Sequence, residues 1–405
     1  MEEIFAYSNA IIEQVSLDFK RYLFKLVNWD SRLIEILGSR GVGKTSLMLQ
    51  KARILNNEIP NQAVYISLDD RLLYDKSLVD LADGLEKYGI RHLFLDEVHK
   101  YPSKKKGYDW SAEIKNIYDR YRGLHIVYSG SSALKLYKGQ GDLSRRKSSY
   151  HLAGLSFREY LEFLGEGSFP DYSMADLLEN HQQIAGEIVN RIRILPLFRE
   201  YLRTGFFPFF MEDPPMYYQR LNQTLNVVIE TDIPAVSRIG FDTSLKIKKL
   251  LSAIATTAPY VPNLLKLRNE LGIADQRTLL KYLDYLDKSG IVSTLQQVAK
   301  GNKVLQKPDK IYLGNTNLVY SLNTGREELG TIRETFFHSQ AVVGSDVQLP
   351  PSGDFLVDGR YTMEIGGKGK TSRQIKDQSR AFIVADDIET GAFNRIPLWL
   401  FGFLY

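Results

Sequence analysis

The 405-residue sequence contains no cysteine, and this absence excludes several kinds of site at once. Disulfides, thiolate zinc sites, iron–sulfur clusters and cysteine nucleophiles all need a thiol. Histidine is also scarce, since only six are present and none has the His-Glu-x-x-His spacing of a zinc protease. Because a cysteine-free chain fits a reducing compartment, we expect a cytoplasmic protein.

Long apolar runs are missing as well. No stretch reaches the roughly 18 apolar residues that a membrane-crossing helix needs, and the apolar run at 396–405 predicts a final buried strand. The opening Met1-Glu2-Glu3 is acidic where a secretory signal is basic. A net charge of +4 and a hydrophobic content of 44% are ordinary for a globular protein. We therefore expect two or three folded domains and no membrane partner.

Residues 38–45, GSRGVGKT, carry the clearest motif in the chain. An apolar run at 32–37 predicts a strand before them, and a helix-forming run at 46–52 follows. In this context GxxxxGK[ST] predicts a P-loop rather than an incidental glycine turn, because glycines let backbone amides face phosphate oxygens at a helix N-terminus. The predicted nucleotide-binding residues are Gly38, Ser39, Arg40, Gly41, Val42, Gly43, Lys44, Thr45 and Ser46.

The predicted cofactors of this loop are ATP and Mg²⁺. Lys44 suits the β- and γ-phosphates, and the Thr45 hydroxyl suits Mg²⁺. A second apolar run, 92–95, ends in Asp96-Glu97, with the predicted strand 63–68 between it and the loop. Asp96 is placed to hold Mg²⁺ as a Walker B carboxylate on a neighbouring parallel strand, and Glu97 to act as general base toward water. The pattern therefore predicts an α/β P-loop NTPase domain with a parallel sheet.

Two further polar segments are candidates for the same site. Predicted strand 124–128 is followed by Ser129-Gly130-Ser131-Ser132, and Ser129 is our choice as γ-phosphate sensor because it ends the strand. A plain Ser/Gly loop is the alternative. Arg145-Arg146-Lys147 suits a developing phosphoryl charge, either in cis or from a neighbouring subunit, and a solvated basic cluster is the alternative. Asp69-Asp70 predicts a turn, and Lys104-Lys105-Lys106 a solvated loop.

The segments GSRGVGKT, HLFLDEVHK, IVYSGSS and LAGLSFREYLEF resemble a group of AAA+-related prokaryotic ATPases that carry a C-terminal domain of unknown function. The resemblance covers nearly the whole chain and implies ATP binding and hydrolysis. The family P-loop often reads GPRRVGKT, so Arg40 matches its first arginine, while Ser39 and Gly41 depart from it. The family's glycine-arginine before the Leu-Ser-Phe segment aligns with Arg146, to which the resemblance implies an arginine role. Gly154 stands where the family has proline.

The residues after 241 predict a winged helix-turn-helix. A helix at 247–258 is followed by one at 264–271 that Asn263 caps, and by a third at 276–288 that Asp275 caps. Runs at 291–297 and 304–313 predict a hairpin across 300–303. Residues 242–310 contain twelve Lys/Arg against six Asp/Glu, a net +6. The exposed candidates for DNA contact are Gln276, Arg277, Lys281, Lys300 and Lys303.

The segment from Gly314 onward is similar to the core of a PD-(D/E)xK nuclease. It contains Glu334 on a predicted helix, Asp354 at the start of a strand, and Glu364 followed by Gly366 where the nuclease lysine stands. A two-residue turn at Asp358-Gly359 would put the carboxylates of Asp354 and Glu364 on opposite faces of the hairpin. A three-residue loop with a bulge would put both carboxylates on the same face. With only Lys368 nearby, we favour a degenerate domain that does not cut.

These patterns predict four segments and leave two functions open. The segments are a P-loop domain at 1–165, a helical lid or connector at 166–241, the winged helix at 242–313 and a nuclease-like α/β domain at 314–405. In one function, ATP hydrolysis drives rearrangement of the C-terminal domains on double-stranded DNA. In the other, the nucleotide state switches a protein partner and no DNA is bound.

Overall fold

The computed structural model describes residues 1–70, 77–101, 110–136, 143–237, 239–297, 307–323, 325, 327–371, 375, 378 and 380–405. The predicted lysine loop 104–106 and the hairpin tip 300–303 lie outside these residues. The chain divides into two compact units. Unit 1 comprises Met1–Ala153 and Glu230–Gly240, and unit 2 comprises Gly154–Ile229 and Phe241–Tyr405. This division differs from the predicted segments, because part of the expected connector belongs to the P-loop unit.

Unit 1 is a parallel sheet with flanking helices. Its strands are β1 (Leu33–Gly38), β2 (Ala63–Ser67), β3 (His92–Asp96), β4 (His125–Ser131) and β5 (Ser148–His151). Its helices are α1 (Glu2–Gln14), α2 (Leu23–Leu26), α3 (Lys44–Glu58), α4 (Leu78–Lys87), α5 (Trp110–Arg120) and, from the second segment, α10 (Ile233–Ser237). Short 3₁₀ turns occupy Val98–Lys100 and Ser132–Leu136.

The five strands are all parallel and follow the order β2-β3-β4-β1-β5. Strands β1 and β4 are buried almost throughout, as expected for central strands covered by helices on both faces. This arrangement confirms the predicted α/β P-loop fold. One detail differs from the sequence interpretation, because β4 lies between β1 and β3. The carboxyl ends of β1, β4 and β3 nevertheless meet at one edge, where the predicted site residues are found.

Unit 2 contains the remaining helices and two further sheets. Its helices are α6 (Phe157–Phe163), α7 (Met174–Val189), α8 (Ile194–Thr204), α9 (Tyr217–Val227), α11 (Phe241–Ala255), α12 (Leu264–Glu270), α13 (Gln276–Lys288), α14 (Thr316–Leu322) and α15 (Leu329–Ala341). Its strands are β6 (Val292–Leu295), β7 (Lys310–Leu313), β8 (Val347–Gln348), β9 (Phe355–Val357), β10 (Tyr361–Gly366), β11 (Ala381–Ala385) and β12 (Arg395–Pro397).

Helices α11 to α13 and the antiparallel pair β6–β7 follow in the order predicted for a winged helix. Both predicted caps are confirmed, because the Asn263 side chain accepts from the Lys266 amide and the Asp275 side chain from the Thr278 amide. Gly290 ends α13 with φ 77°, a left-handed conformation that favours glycine. The strands are shorter than predicted, and the winged-helix assignment itself stays a prediction.

The C-terminal sheet has the order β12-β11-β10-β9-β8, with β10, β11 and β12 parallel and β8 and β9 antiparallel. The predicted strand at 396–405 is wrong, because β12 ends at Pro397 and Leu398–Phe403 forms a buried 3₁₀ helix. In the part of the chain that the structure describes, no helix combines the length and apolarity needed to cross a bilayer.

Candidate functional site

The P-loop runs from the end of β1 to the start of α3, as its sequence predicts. Gly41 and Gly43 have φ of 86° and 96°, which side chains rarely adopt. A Cβ on Gly38 would lie 2.5 Å from the Leu152 carbonyl oxygen, so this position has no room for a side chain. The guanidinium of buried Arg21 donates to the Val42 carbonyl and, at 2.8 Å, to the Ala153 carbonyl. Arg21, which the sequence motif does not include, therefore anchors the loop.

Lys44 is buried inside this loop. Its Nζ donates to the carbonyl oxygens of Gly38 at 3.0 Å and Ser39 at 3.1 Å. Burial lowers the pKa of Lys44, and the nearby Glu97, Asp96 and Asp232 carboxylates oppose this shift. The Lys44 amino group is therefore held by the phosphate-binding loop itself, and three carboxylates act on its pKa.

Asp96 is the most densely hydrogen-bonded carboxylate at this edge of the sheet. Its Oδ2 accepts from Thr45 Oγ1 at 2.6 Å and from the Tyr65 hydroxyl at 2.8 Å. Its Oδ1 accepts from the Ser129 hydroxyl and, at 3.0 Å, from the Glu97 amide. The predicted metal residues Thr45 and Asp96 are thus in direct contact. Burial and the Asp96 charge raise the pKa of Tyr65, so this partner stays a hydrogen-bond donor.

The donor set at Asp96 fits Mg²⁺. A hydroxyl and a carboxylate are hard oxygen ligands, and Mg²⁺ in phosphate-transfer sites takes only one or two protein ligands beside waters and phosphates. Among the described residues, no group of three or more His, Cys, Asp or Glu is arranged to hold a metal by itself. A Mg²⁺ ion would therefore be held by Thr45 and Asp96 together with the nucleotide.

Glu97 follows Asp96 in the left-handed conformation, with φ 54° and ψ 44°. This conformation is costly for a residue with a Cβ, and such strain clusters at functional sites. Its side chain is 16% exposed, with Oε2 at 3.4 Å from His99 Nε2 and 3.7 Å from Lys100 Nζ. Within this turn the Glu97 amide remains bonded to Asp96, while the Glu97 carboxylate faces His99 and Lys100.

The prediction that Ser129 ends its strand is wrong, because β4 continues to Ser131 and Ser129 lies within the strand. Parallel pairing of Gly38 with Ser131 extends the strand past residues of low strand propensity. The buried Ser129 hydroxyl donates to Asp96 Oδ1 and accepts from the Glu97 amide at 3.3 Å. In this geometry Ser129 positions Asp96, and its role as γ-phosphate sensor stays a prediction.

Arg146 is not brought to this cluster. Its guanidinium forms two contacts with the Asp119 carboxylate, at 3.1 and 3.3 Å, near the end of α5. Because Ser148 pairs with Ile34 near the start of β1, Arg146 precedes the amino end of β5, whereas the P-loop follows the carboxyl end of β1. The structure therefore places Arg146 away from the P-loop of its own chain, and an arginine role from a neighbouring subunit stays a prediction.

Three residues that the sequence interpretation did not select complete the site in unit 1. Tyr65 holds Asp96, while His99 and Asp232 lie beside Glu97 and the P-loop. Asp232 comes from the second segment of unit 1 and is fully buried. Its Oδ1 lies 3.5 Å from His99 Nε2 and 3.5 Å from an Arg40 guanidinium nitrogen. The only clue in the sequence is a pair of carboxylates, Glu230 and Asp232, between two apolar stretches.

A second cluster of carboxylates lies in unit 2. Tyr361 pairs with Val357, so the loop after β9 has three residues and the register places Asp354 opposite Glu364. This is the alternative that puts both carboxylates on one face. Glu364 is buried and pairs with Lys370 Nζ at 2.6 Å, so Lys370 rather than the predicted Lys368 stands beside it.

One further carboxylate, one further lysine and a tyrosine complete this second cluster. Glu334 on α15 pairs with Lys310 at 2.7 Å and accepts from the Tyr312 hydroxyl at 2.8 Å. Burial and the neighbouring charges of Glu334 and Glu364 raise the pKa of Asp354 to about 6. The cluster therefore carries its own cationic partners.

Family models match two parts of the chain. A model described as AAA domain matches residues 30–161, and one described as Domain of unknown function (DUF8612) matches residues 195–329. The first match contains the P-loop and the Asp96 cluster, and it supports nucleotide binding and an ATPase-type function. None of the curated proteins matches this sequence.

Several solved structures are similar to the chain at low identity. AMPPCP-bound DnaA from Aquifex aeolicus is 16% identical, with 71% of this chain and 88% of that chain covered and a TM-score of 0.27. The Aeropyrum pernix Orc1 protein in complex with DNA is 14% identical, with 80% and 92% covered and a TM-score of 0.30. TM-scores this low carry no inference about what this chain binds.

Proposed function

We propose that this AAA+-related chain, with its AAA domain at residues 30–161, binds ATP with Mg²⁺ and hydrolyses it. The observation that carries the proposal is the Asp96 cluster, in which the P-loop hydroxyl of Thr45 contacts a buried carboxylate at 2.6 Å. Mg²⁺, when bound there, supplies positive charge to the phosphates. Lys44 adds a second positive charge from within the loop.

Glu97 orients and deprotonates the attacking water. The water oxygen forms a bond to the γ-phosphorus, the bond from that phosphorus to the β–γ bridging oxygen breaks, and ADP leaves with the electron pair. The contacts of Glu97 support this role, because its carboxylate faces His99 and Lys100, whereas the Asp96 carboxylate is engaged by hydroxyl groups and the Glu97 amide. Ser129 holds Asp96 and, through the Glu97 amide, the backbone of that turn.

Steady-state ATP hydrolysis and nucleotide binding by the full chain test this function. Lys44→Ala is expected to abolish ATP binding, because the phosphates lose their nearest side-chain cation. Glu97→Gln is expected to retain binding while turnover falls by about a hundredfold or more. Asp80→Asn, a change of the same type on the exposed face of α4, is the control and should leave both quantities unchanged. Unchanged turnover in Glu97→Gln would remove the general-base assignment.

We further propose double-stranded DNA as the partner whose binding the nucleotide state controls. The support is the third helix of the predicted winged helix, on which Gln276, Arg277 and Lys281 are all exposed. The segment 242–310 is also the more basic part of the chain, at net +6. A protein partner controlled by the nucleotide state is the second candidate.

DNA stimulation of ATP hydrolysis separates the two partners. For DNA, stimulation should weaken as salt rises, and removing both Arg277 and Lys281 by alanine substitution should reduce the salt dependence of binding. Lys25→Ala removes a charge from the surface of unit 1 and is the control. Slow hydrolysis that DNA does not change would favour the protein partner.

For the second carboxylate cluster we propose a non-cutting role, in line with the sequence interpretation. The support is that Glu334 and Glu364 each pair with a lysine of this chain at 2.7 and 2.6 Å. Incubation of the full chain with plasmid DNA and Mg²⁺ or Mn²⁺ is expected to leave the plasmid intact. Nicking that Glu364→Gln abolishes would overturn this proposal.

A further inference from the structure

Asp232 is a fully buried carboxylate beside the proposed ATP site. It ends a π-helical turn at Val228–Asp232, where the chain passes from unit 2 into the second segment of unit 1. Isolated π-turns are rare and are frequent at functional sites. Burial by itself raises the pKa of a carboxyl group, but contacts with His99, Arg40 and Ser131 lower the pKa of Asp232 below its usual value. Asp232 is therefore an anion at neutral pH.

His99 lies between this anion and the proposed general base. Its Nε2 is 3.4 Å from Glu97 Oε2 and 3.5 Å from Asp232 Oδ1, and its side chain is only 1% exposed. Two carboxylate oxygens at one nitrogen require that nitrogen to carry the hydrogen, because a lone pair there would repel both. Asp232 thus favours the form of His99 that presents an N–H to Glu97.

Several polar side-chain atoms of Glu97, His99 and Asp232 form no hydrogen bond of good geometry with the residues that the structure describes. Within the part of the chain that the structure describes, Glu97 Oε2, both ring nitrogens of His99 and Asp232 Oδ2 are buried without a hydrogen-bond partner of good geometry. Buried polar groups are seldom left so, and each one in a native protein calls for an explanation.

We propose that Asp232 is a positioning residue of the ATP site, which acts through His99 on the carboxylate of Glu97. Asp232 also lies 3.5 Å from the guanidinium of Arg40, so the same carboxylate faces the P-loop and the general base. Correct orientation of Glu97 then requires the segment Glu230–Gly240 to be in place. This inference rests on the proposed ATPase function and adds Asp232 as the residue that orients the general base Glu97.

The test compares kcat, KM and nucleotide affinity in full-length variants. Asp232→Asn keeps the shape and removes the charge, so kcat should fall by roughly ten- to a hundredfold. KM and the Kd for ATP should stay within about threefold, because the hydrogen bonds that hold Lys44 and Thr45 do not involve Asp232. Glu230→Gln removes the same charge from an exposed position of the same turn and should behave like the unaltered protein.

A double variant tests the path through His99. His99→Phe retains a ring and removes the N–H, and it should lower kcat to a similar extent. Asp232→Asn combined with His99→Phe should lower kcat no further than His99→Phe alone, because both changes remove the same effect on Glu97. If the decreases in kcat of the two single variants multiply in the double variant, the two residues act independently, and the proposed path from Asp232 through His99 to Glu97 is wrong.

Two other outcomes would also overturn the proposal. One is an unchanged kcat in Asp232→Asn; the other is a loss of nucleotide affinity as large as the loss of kcat, which would make Asp232 a structural part of the pocket. These results differ from failure of the proposed function itself. In that case the unaltered protein would show no Mg²⁺-dependent turnover that Glu97→Gln abolishes.

Discussion

The two carboxylate clusters of this chain each have a buried carboxylate on a strand, Asp96 on β3 and Glu364 on β10, and each include a lysine, yet the contacts that hold these charges differ. In unit 1 the Asp96 carboxylate accepts from neutral donors, namely two side-chain hydroxyls at Oδ2 and a hydroxyl and an amide at Oδ1. In unit 2 the Glu364 and Glu334 carboxylates each form an ion pair with a lysine.

The lysines of the two clusters, Lys44 and Lys370, differ in the same way as the carboxylates. Lys44 Nζ donates to two carbonyl oxygens of the P-loop and, among the residues that the structure describes, forms no ion pair within 4.0 Å. Lys370 Nζ donates to Glu364, and this contact outweighs burial and raises the pKa of Lys370. A separated cation and anion suit a site that receives Mg²⁺ and phosphate, whereas a closed ion pair already satisfies its own charge.

The largest effect that would test this comparison is expected at Asp96. Asp96→Asn removes the anionic Mg²⁺ ligand while keeping its shape, so ATP hydrolysis should fall by on the order of a hundredfold or more. Thermal unfolding should change little, because hydroxyl partners reorient to suit an amide. Hydrolysis is measured at saturating Mg²⁺, and Asp80→Asn is the control. Near-normal turnover would show that the separated charges in unit 1 do not serve metal binding.

In unit 2 the corresponding change should act on stability. Lys370→Met removes the cation that pairs with the fully buried Glu364, and removing one partner of a buried ion pair costs about 3 kcal/mol. Hydrogen exchange of the β10 amides in the full chain measures the loss. Adding Glu364→Gln to Lys370→Met should restore most of the protection. If Lys370→Met leaves exchange unchanged, the ion pair does not stabilise this sheet.

The features of this fold that could be predicted were local ones. The P-loop, four of the five strands of unit 1 and α13 with its Asp275 cap follow from apolar runs, glycines and caps within a few residues. Strand β5 was missed because SSYH has little apolar character and forms an edge strand with every second residue exposed. The end of β4 was missed because pairing with β1 extends it.

The missed site residues depend on distant parts of the chain. Asp232 reaches the P-loop unit only because the chain re-enters it after unit 2 has begun, and no spacing rule connects it with His99. Lys370 lies beside Glu364 because its side chain occupies the space above Gly366, where an added Cβ would be 2.6 Å from Lys370 Cδ. Gly366 stands where the nuclease motif has its lysine, and the absence of a side chain at Gly366 leaves the space that Lys370 occupies.

A smaller effect is expected from protonation of Asp354. Its pKa is raised to about 6, so the folded state holds more protons than the unfolded state between pH 4 and 6, and stability falls as pH rises through this window. Asp354→Asn removes this loss and should stabilise unit 2 by about 1–3 kcal/mol above pH 6. Hydrogen exchange of β10 at pH 5 and pH 7 is the measurement. A stabilisation that is the same at both pH values would contradict the protonation argument.

The smallest effect is expected at Arg146. Arg146→Ala removes a partly exposed ion pair with Asp119 at the amino edge of the unit 1 sheet, so ATP binding should stay within about twofold of the unaltered protein. Hydrolysis measured across protein concentrations separates the two remaining roles. Turnover that stays normal at every concentration assigns Arg146 a surface role. Turnover that rises with concentration in the unaltered protein, but not in Arg146→Ala, would assign this arginine to the site of a neighbouring subunit, because a residue acting in trans contributes only after association.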